Sequence, residues 1–154
     1  MVSWVVSRAG GLNRAAILIV QGTVLCVLAA LGSCVDINGG AVEFSWSLRT
    51  DTGMERTCAQ TNIVQVALCM RDCDTQPCGD VVTCPSVFPC ERLRAATQFD
   101  IPPGRKEITI RPECASGPAL VVVPPPLVRD IVQGDVTELN ALLITVPSAG
   151  AICP

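Results

Sequence analysis

"AVEFSWSLRT", Ala41 to Thr50, places Val42, Phe44, Trp46 and Leu48 at alternate positions, with Glu43, Ser45, Ser47 and Arg49 between them. Successive side chains of a strand point to opposite faces, so this alternation of β-forming and polar residues predicts a half-buried strand. Trp46 is then a core residue and not a ligand platform. Asp51-Thr52-Gly53 supplies a turn after it. The same pattern continues along the chain. "NIVQVALC", Asn62 to Cys69, reads as a second strand, and "ERLRAA", Glu91 to Ala96, as one helical turn. "ATQFDIPPGRKEITIRPEC", Ala96 to Cys114, reads as strand, turn, strand, with the turn at Pro102-Pro103-Gly104. Pro124 to Pro126 cannot sit in a central strand, because proline donates nothing to the ladder, and are read as an extended connector. "LVRDIV" and "DVTELNALLITV" close the domain around Gly134-Asp135. Asp135 and Glu138 imitate a helix capping box, but the β-branched Ile144, Thr145 and Val146 favour a strand. Six or seven short strands without a long amphipathic helix or an internal repeat predict an all-β fold. The expected architecture is an antiparallel β-sandwich with Greek-key connections of immunoglobulin-like kind, over residues 41–154.

The cysteines divide into groups. Of ten, Cys26 lies in an apolar run and Cys34 at its end, which leaves Cys58, Cys69, Cys73, Cys78, Cys84, Cys90, Cys114 and Cys153. Eight is even, as expected of an exported chain that keeps no reactive odd thiol, so four disulfides are predicted. Spacing does not select their pairing. Five of the eight crowd into residues 69–90, read as a disulfide-rich loop inserted in the sandwich, with a short extra strand at "DVVTC", Asp80 to Cys84. Zinc is the rival reading of such a cluster. It wants paired C-x₂₋₄-C units, usually completed by histidine. No C-x₂-C occurs here and the chain has no histidine, so no metal is assigned.

Upstream, Arg8 and Arg14 precede "AAILIVQGTVLCVLAALGS", Ala15 to Ser33, after which Cys34 and the polar "VDINGG" follow. A basic start, an apolar stretch and small residues at its end form the pattern of a secretory signal helix. An uncleaved signal anchor is the alternative, since the run is long enough to span a bilayer. Leu31-Gly32-Ser33-Cys34 resembles the bacterial lipobox, in which small residues precede an invariant cysteine. That resemblance implies cleavage after Ser33 and attachment of lipid to the Cys34 sulfur. The expected organisation is therefore a lipoprotein signal peptide over 1–33, a spacer over 34–40 and the sandwich over 41–154. Without Arg8 and Arg14 the chain keeps nine basic against fourteen acidic residues, a net charge of −5. That balance disfavours nucleic acid and a polybasic membrane patch, leaving membrane lipid on acylated Cys34 as the anchor. Val35 rather than aspartate after the lipid cysteine favours the outer over the inner membrane.

Three stretches resemble the transthyretin-like (prealbumin-like) sandwich of carboxypeptidase regulatory domains. "QFDIPPGRKEITI" is similar to its F-x-I-P-P-G hairpin, "VRDIVQGDVTELNALLITV" to its closing strands, and "VEFSWSLRTDTG" to its opening strand and turn. Lys106 stands where that module usually has tyrosine. Lipobox and sandwich together resemble small cysteine-containing lipoproteins of myxobacterial type. These resemblances imply a folding, spacing or binding unit and no particular activity.

The residues offer little chemistry. Without histidine, Ser-His-Asp and Cys-His catalysis are excluded. No nucleophile elbow, phosphate loop or dinucleotide fingerprint occurs. Asp72, Asp74 and Asp80 lie together in sequence and could serve calcium, hydrolysis or plain solvation, and the solvated reading is expected. Lys106, the only lysine, is expected at a turn with its side chain in water. The sequence thus predicts a non-enzymatic envelope lipoprotein without cofactor, its partner another envelope protein met through loop 69–90. An envelope hydrolase or ion binder acting through carboxylates is the alternative.

Overall fold

The computed structural model describes residues 37–75 and 77–153. The expected signal peptide, Leu31, Gly32, Ser33 and Cys34 lie outside the described residues. The strands are β1 (Ala41–Thr50), β2 (Glu55–Arg56), β3 (Ile63–Asp72), β4 (Thr83–Pro89), β5 (Arg94–Ala96), β6 (Gly104–Cys114), β7 (Gly117–Pro118), β8 (Leu127–Ile131) and β9 (Val136–Val146). In the first sheet β1 is paired by β2, β5 and β9; in the second β3 joins β4 to β6, and β6 also carries β7 and β8. Val42, Phe44, Trp46, Leu48, Leu139 and Ile144 of the first sheet share one core with Val66, Leu68, Met70, Ile108, Ile110 and Ile131 of the second. Burial of these side chains, at about 1.5–3 kcal/mol each, is the main force holding the sheets together. Phe44 meets Phe88 edge-on across the core, ring centroids 5.7 Å apart. The Trp46 ring is buried and its Nε1 donates to the Cys90 carbonyl at 3.1 Å, so its polar atom is satisfied inside.

The all-β, two-sheet reading therefore stands, with amendments. One ladder is parallel: β9 runs alongside β1 from Ala41↔Val136 to Thr50↔Val146, while every other strand pair is antiparallel. Alternation states which face a strand buries and says nothing of its neighbour's direction. β9 also carries a bulge opposite Glu43–Ser45, where Asn140 takes φ 62°. The expected strand at Ala96–Ile101 shrinks. Only Arg94–Ala96 pairs with β1, the chain turns at Asp100, and Ile101 makes a single bridge to Gly40. The expected helical turn at 91–96 is a 3₁₀ turn, Cys90–Arg92, leading into β5. A four-residue helix, α1 (Cys58–Thr61), was not expected; Thr57 and Gln60 cap it reciprocally. Residues 119–126 connect β7 to β8, both in the second sheet, and touch the first through one bridge from Val122 to Thr145; Pro124 and Pro125 border a narrow crevice beside Leu127.

The spacer expected over 34–40 is shorter than its polar composition implies. Gly39 and Gly40 are buried in the fold. A Cβ at Gly39 would lie 2.4 Å from the Ile101 carbonyl oxygen, and one at Gly40 2.5 Å from that of Val132. Glycine is needed here for close backbone approach. The contacts also fix which ends of the two sheets coincide. Gly40, Asp72, Gly104, Ile131 and Val136 mark the end where the chain enters; Thr50, Ile63, Cys114 and Val146 mark the opposite end.

Candidate functional site

All eight cysteines from Cys58 onward are paired: Cys58–Cys90, Cys69–Cys84, Cys73–Cys78 and Cys114–Cys153. Cys58–Cys90 joins α1 to the 3₁₀ turn, and Cys114–Cys153 ties the chain's last described residue to the end of β6. The other two brace the hairpin between β3 and β4.

The region 69–90 is not an inserted loop. Cys69 to Asp72 complete β3, Thr83 to Pro89 form β4, and only residues 73–82 are loop. β4 pairs with β3 through Met70↔Thr83 and Leu68↔Ser86, with an irregularity between. The short extra strand expected at Asp80–Cys84 overlaps β4 only at Thr83 and Cys84; Pro85 and Pro89 hid the rest of it. They are tolerated because β4 pairs only with β3, leaving an outer edge that requires no donors. Cys69–Cys84 is then a cross-strand bridge.

The loop is held to the start of β6. Cys73 N–H donates to the Arg105 carbonyl at 2.8 Å, Arg105 N–H donates to Asp74 Oδ1 at 2.9 Å, and Gly79 N–H donates to the Asp72 carbonyl at 2.8 Å. Lys106 departs most from expectation. It lies within β6 opposite Asp72, its side chain is 8% exposed, and Nζ donates to Asp72 Oδ1. Its position alternates with Ile108 and Ile110 on the core face, which buries the stem while the head reaches the strand end. Met70, Asp72, Val81, Thr83, Pro102 and Lys106 surround a hollow of about 200 Å³. On the strand beside it, Arg71 pairs with Glu107 at 2.7 Å.

This arrangement supplies no converging acids. Asp72 is engaged by Lys106 and Asp74 by a backbone amide, while Asp80 is exposed in the loop. Cys73, Cys78 and Glu107 bring three metal-type donors within 4.8 Å of one another, but the two sulfurs are bonded to each other, so they are not thiolate ligands. A shallow groove of about 640 Å³ on the first sheet, between Glu43, Ser45, Arg94, Glu138 and Asn140, contains the Glu43–Arg94 ion pair. Among the described residues no buried side-chain nitrogen or oxygen lacks a hydrogen-bond partner, so no orphaned polar group points to a ligand. One carboxyl is shifted. Hydrogen bonds from Gln65 and then Arg111 hold Glu113 below the ordinary glutamate range, with the Arg111 charge adding to them and burial opposing.

Sequence reasoning thus found the disulfide cysteines and missed Lys106, whose signal was its alternation with Ile108 and Ile110. It also missed that the loop shares an end of the sandwich with the entering chain. Pairing of Asp72 with Lys106 and of Gly40 with Ile101 brings these together.

No family model matches the chain, and no curated protein matches it. A solved structure of a candidate carbohydrate-binding protein from Pseudomonas aeruginosa is similar over 77% of this chain and 96% of its own, at 12% identity and a TM-score of 0.29. A likeness of that size carries no argument about ligand or activity. The fold and its bridges define a class: a disulfide-braced two-sheet β domain.

Proposed function

We propose that this chain is an exported, non-enzymatic envelope lipoprotein. Its signal peptide ends at Ser33, lipid on Cys34 anchors it, and the sandwich, of transthyretin-like kind, serves as a structural or protein-interaction module. The observation that carries the reading is the cysteine partition. Each of the eight cysteines beyond Cys34 is paired, as suits an oxidising compartment outside the cytoplasm. Cys34 is then left for a different chemistry, and it stands at the end of the apolar run. Two or more acyl chains hold a protein stably where one holds it marginally, at about 0.8 kcal/mol per buried CH₂. The absence of histidine and the separate engagement of Asp72 and Asp74 support a non-catalytic role. The outer membrane is the favoured location, on Val35.

The test is intact-mass analysis of the full chain expressed in a bacterium with lipoprotein-processing enzymes. A product beginning at Cys34, heavier by a diacylglyceryl group and fractionating with membranes, is expected, and Cys34→Ser should abolish the added mass. An unmodified chain that still begins at Met1 would refute it.

A further inference from the structure

We infer that the chain-entry end of the sandwich lies against the lipid surface and is seated there by its own apolar side chains. The inference rests on the anchoring reading above and adds to it an orientation and a contact surface. If lipid is on Cys34, three residue steps lead to Ile37, where the described fold begins. Fully extended, three residues span at most about 11 Å. Two and three residues further on, Gly39 and Gly40 are packed against the backbone of Ile101 and Val132. Gln133 Nε2 also donates to the Ile37 carbonyl at 2.6 Å, which holds the entering segment against the β8–β9 corner. The domain therefore has no long leash, and its entry end stays close to the headgroups.

Six of the thirteen large apolar side chains that stand exposed among the described residues lie at that end. Val81 is 76% and Val132 55% exposed, and Ile37, Val82, Phe99 and Val136 are exposed beside them. All six belong to segments joined at this end: the entry segment, the 73–82 loop against Pro102 and Lys106, the turn before Ile101, and the β8–β9 corner. The prolines 102 and 103 of the same turn are also exposed. The charge that accompanies them has an acidic excess, with Asp74, Asp80, Asp100, Asp130 and Asp135 exposed against the exposed Arg105. An apolar rim carrying acids fits a zwitterionic headgroup layer and is repelled by an anionic one. The opposite end has exposed apolar residues too, among them Met54, Leu120 and Val122. The tether separates the two. β9 spans the domain from Val136 to Val146, and ten steps at about 3.3 Å put the far end about 33 Å away. On this orientation the far end points away from the lipid and the 73–82 loop toward it.

The experiment uses the full chain processed in a lipoprotein-competent host, with acylation checked by mass, reconstituted in phosphatidylcholine vesicles carrying a bromine-labelled acyl chain. Val81→Trp and Val132→Trp report on the entry end, and Val122→Trp and Met54→Trp on the far end. These positions are exposed, and buried Trp46 gives a common background. Apolar side chains of an interfacial face sit about 5–10 Å into the boundary, so the added emission of the entry-end variants should fall by about half. The far-end variants should be unchanged. Adding phosphatidylglycerol should weaken the quenching, and Val81→Glu combined with Val132→Trp should reduce it without releasing the protein. Vesicle-bound, acylated protein whose entry-end tryptophans are unquenched would overturn the inference and leave the anchor intact. Protein that is neither acylated nor bound would overturn the anchoring reading, and the docking with it.

Discussion

Gly39 offers a test in which two physical effects have opposite signs. Where the backbone is unstrained, Gly→Ala stabilises by about 0.4–1 kcal/mol, because the unfolded chain loses freedom. Gly39 is not among the positive-φ positions, so nothing in its own backbone forbids alanine. The surroundings do. Its Cβ would meet three backbone atoms of the neighbouring turn: the Ile101 oxygen at 2.4 Å, the Ile101 nitrogen at 2.8 Å and the Asp100 carbonyl carbon at 2.9 Å. A side chain could rotate away, but this turn is held to Gly40 by two hydrogen bonds, Gly40 N to Ile101 O at 2.9 Å and Ile101 N to Gly40 O at 3.2 Å. Relief of the clash must weaken that bridge. Overpacking costs about 1–3 kcal/mol and one weakened bond about 1 kcal/mol, so Gly39→Ala should destabilise by about 2–4 kcal/mol. With a urea m-value near 2 kcal/mol/M, the midpoint of the disulfide-intact protein should fall by about 1–2 M. Gly53→Ala is the control. Its φ is 87°, but nothing lies within 4 Å of the added atom, so only conformational strain, about 1 kcal/mol, is expected. A Gly39→Ala midpoint equal to or above that of the parent would refute the packing of the entering chain against the turn.

The disulfides should differ by the length of chain each closes. Cys114→Ser with Cys153→Ser opens a separation of 39 residues and Cys73→Ser with Cys78→Ser one of 5. Loop-closure entropy assigns them about 4 and about 2 kcal/mol, and equal losses in denaturant melts would contradict that ordering. The Lys106–Asp72 pair should be asymmetric, because the Lys106 side chain is 8% exposed and that of Asp72 72%. Lys106→Met keeps the apolar stem and frees a solvated carboxylate, at a cost under about 1 kcal/mol, whereas Asp72→Ala strands a buried ammonium at about 2–3 kcal/mol. Thermal denaturation of the two variants reads the difference, and equal losses would place the lysine head in water. The Glu113 carboxyl is held below its ordinary range, chiefly by Gln65. A lowered folded-state pKa contributes stability that is present above the unfolded value and lost as pH falls through the folded one. Glu113→Gln should therefore flatten the acid limb of the melting temperature against pH and leave the neutral plateau shape unchanged.

Much of this protein is written in local pattern. The alternation of Val42, Phe44, Trp46 and Leu48 told which face of β1 is buried, because a strand's period of two is a property of the backbone. The turn at Gly53 and the strand character of Asn140 to Val146 were likewise readable from nearest neighbours. The even cysteine remainder foretold that all eight would pair. Partner choice was not legible. Which cysteines meet, that β9 lies parallel to β1, that β4 accepts two prolines at an edge, and that the partner of Lys106 is Asp72 all depend on neighbours that local pattern does not name. Local propensity carries no information about such neighbours; the packing of two sheets around one core selects them. The same packing brings the 73–82 loop to the end where the chain enters. Alternation and an even cysteine count announced a disulfide-braced β domain, but only the tertiary structure decided which loops gather at the end where the chain enters, because that depends on contacts between residues far apart in sequence.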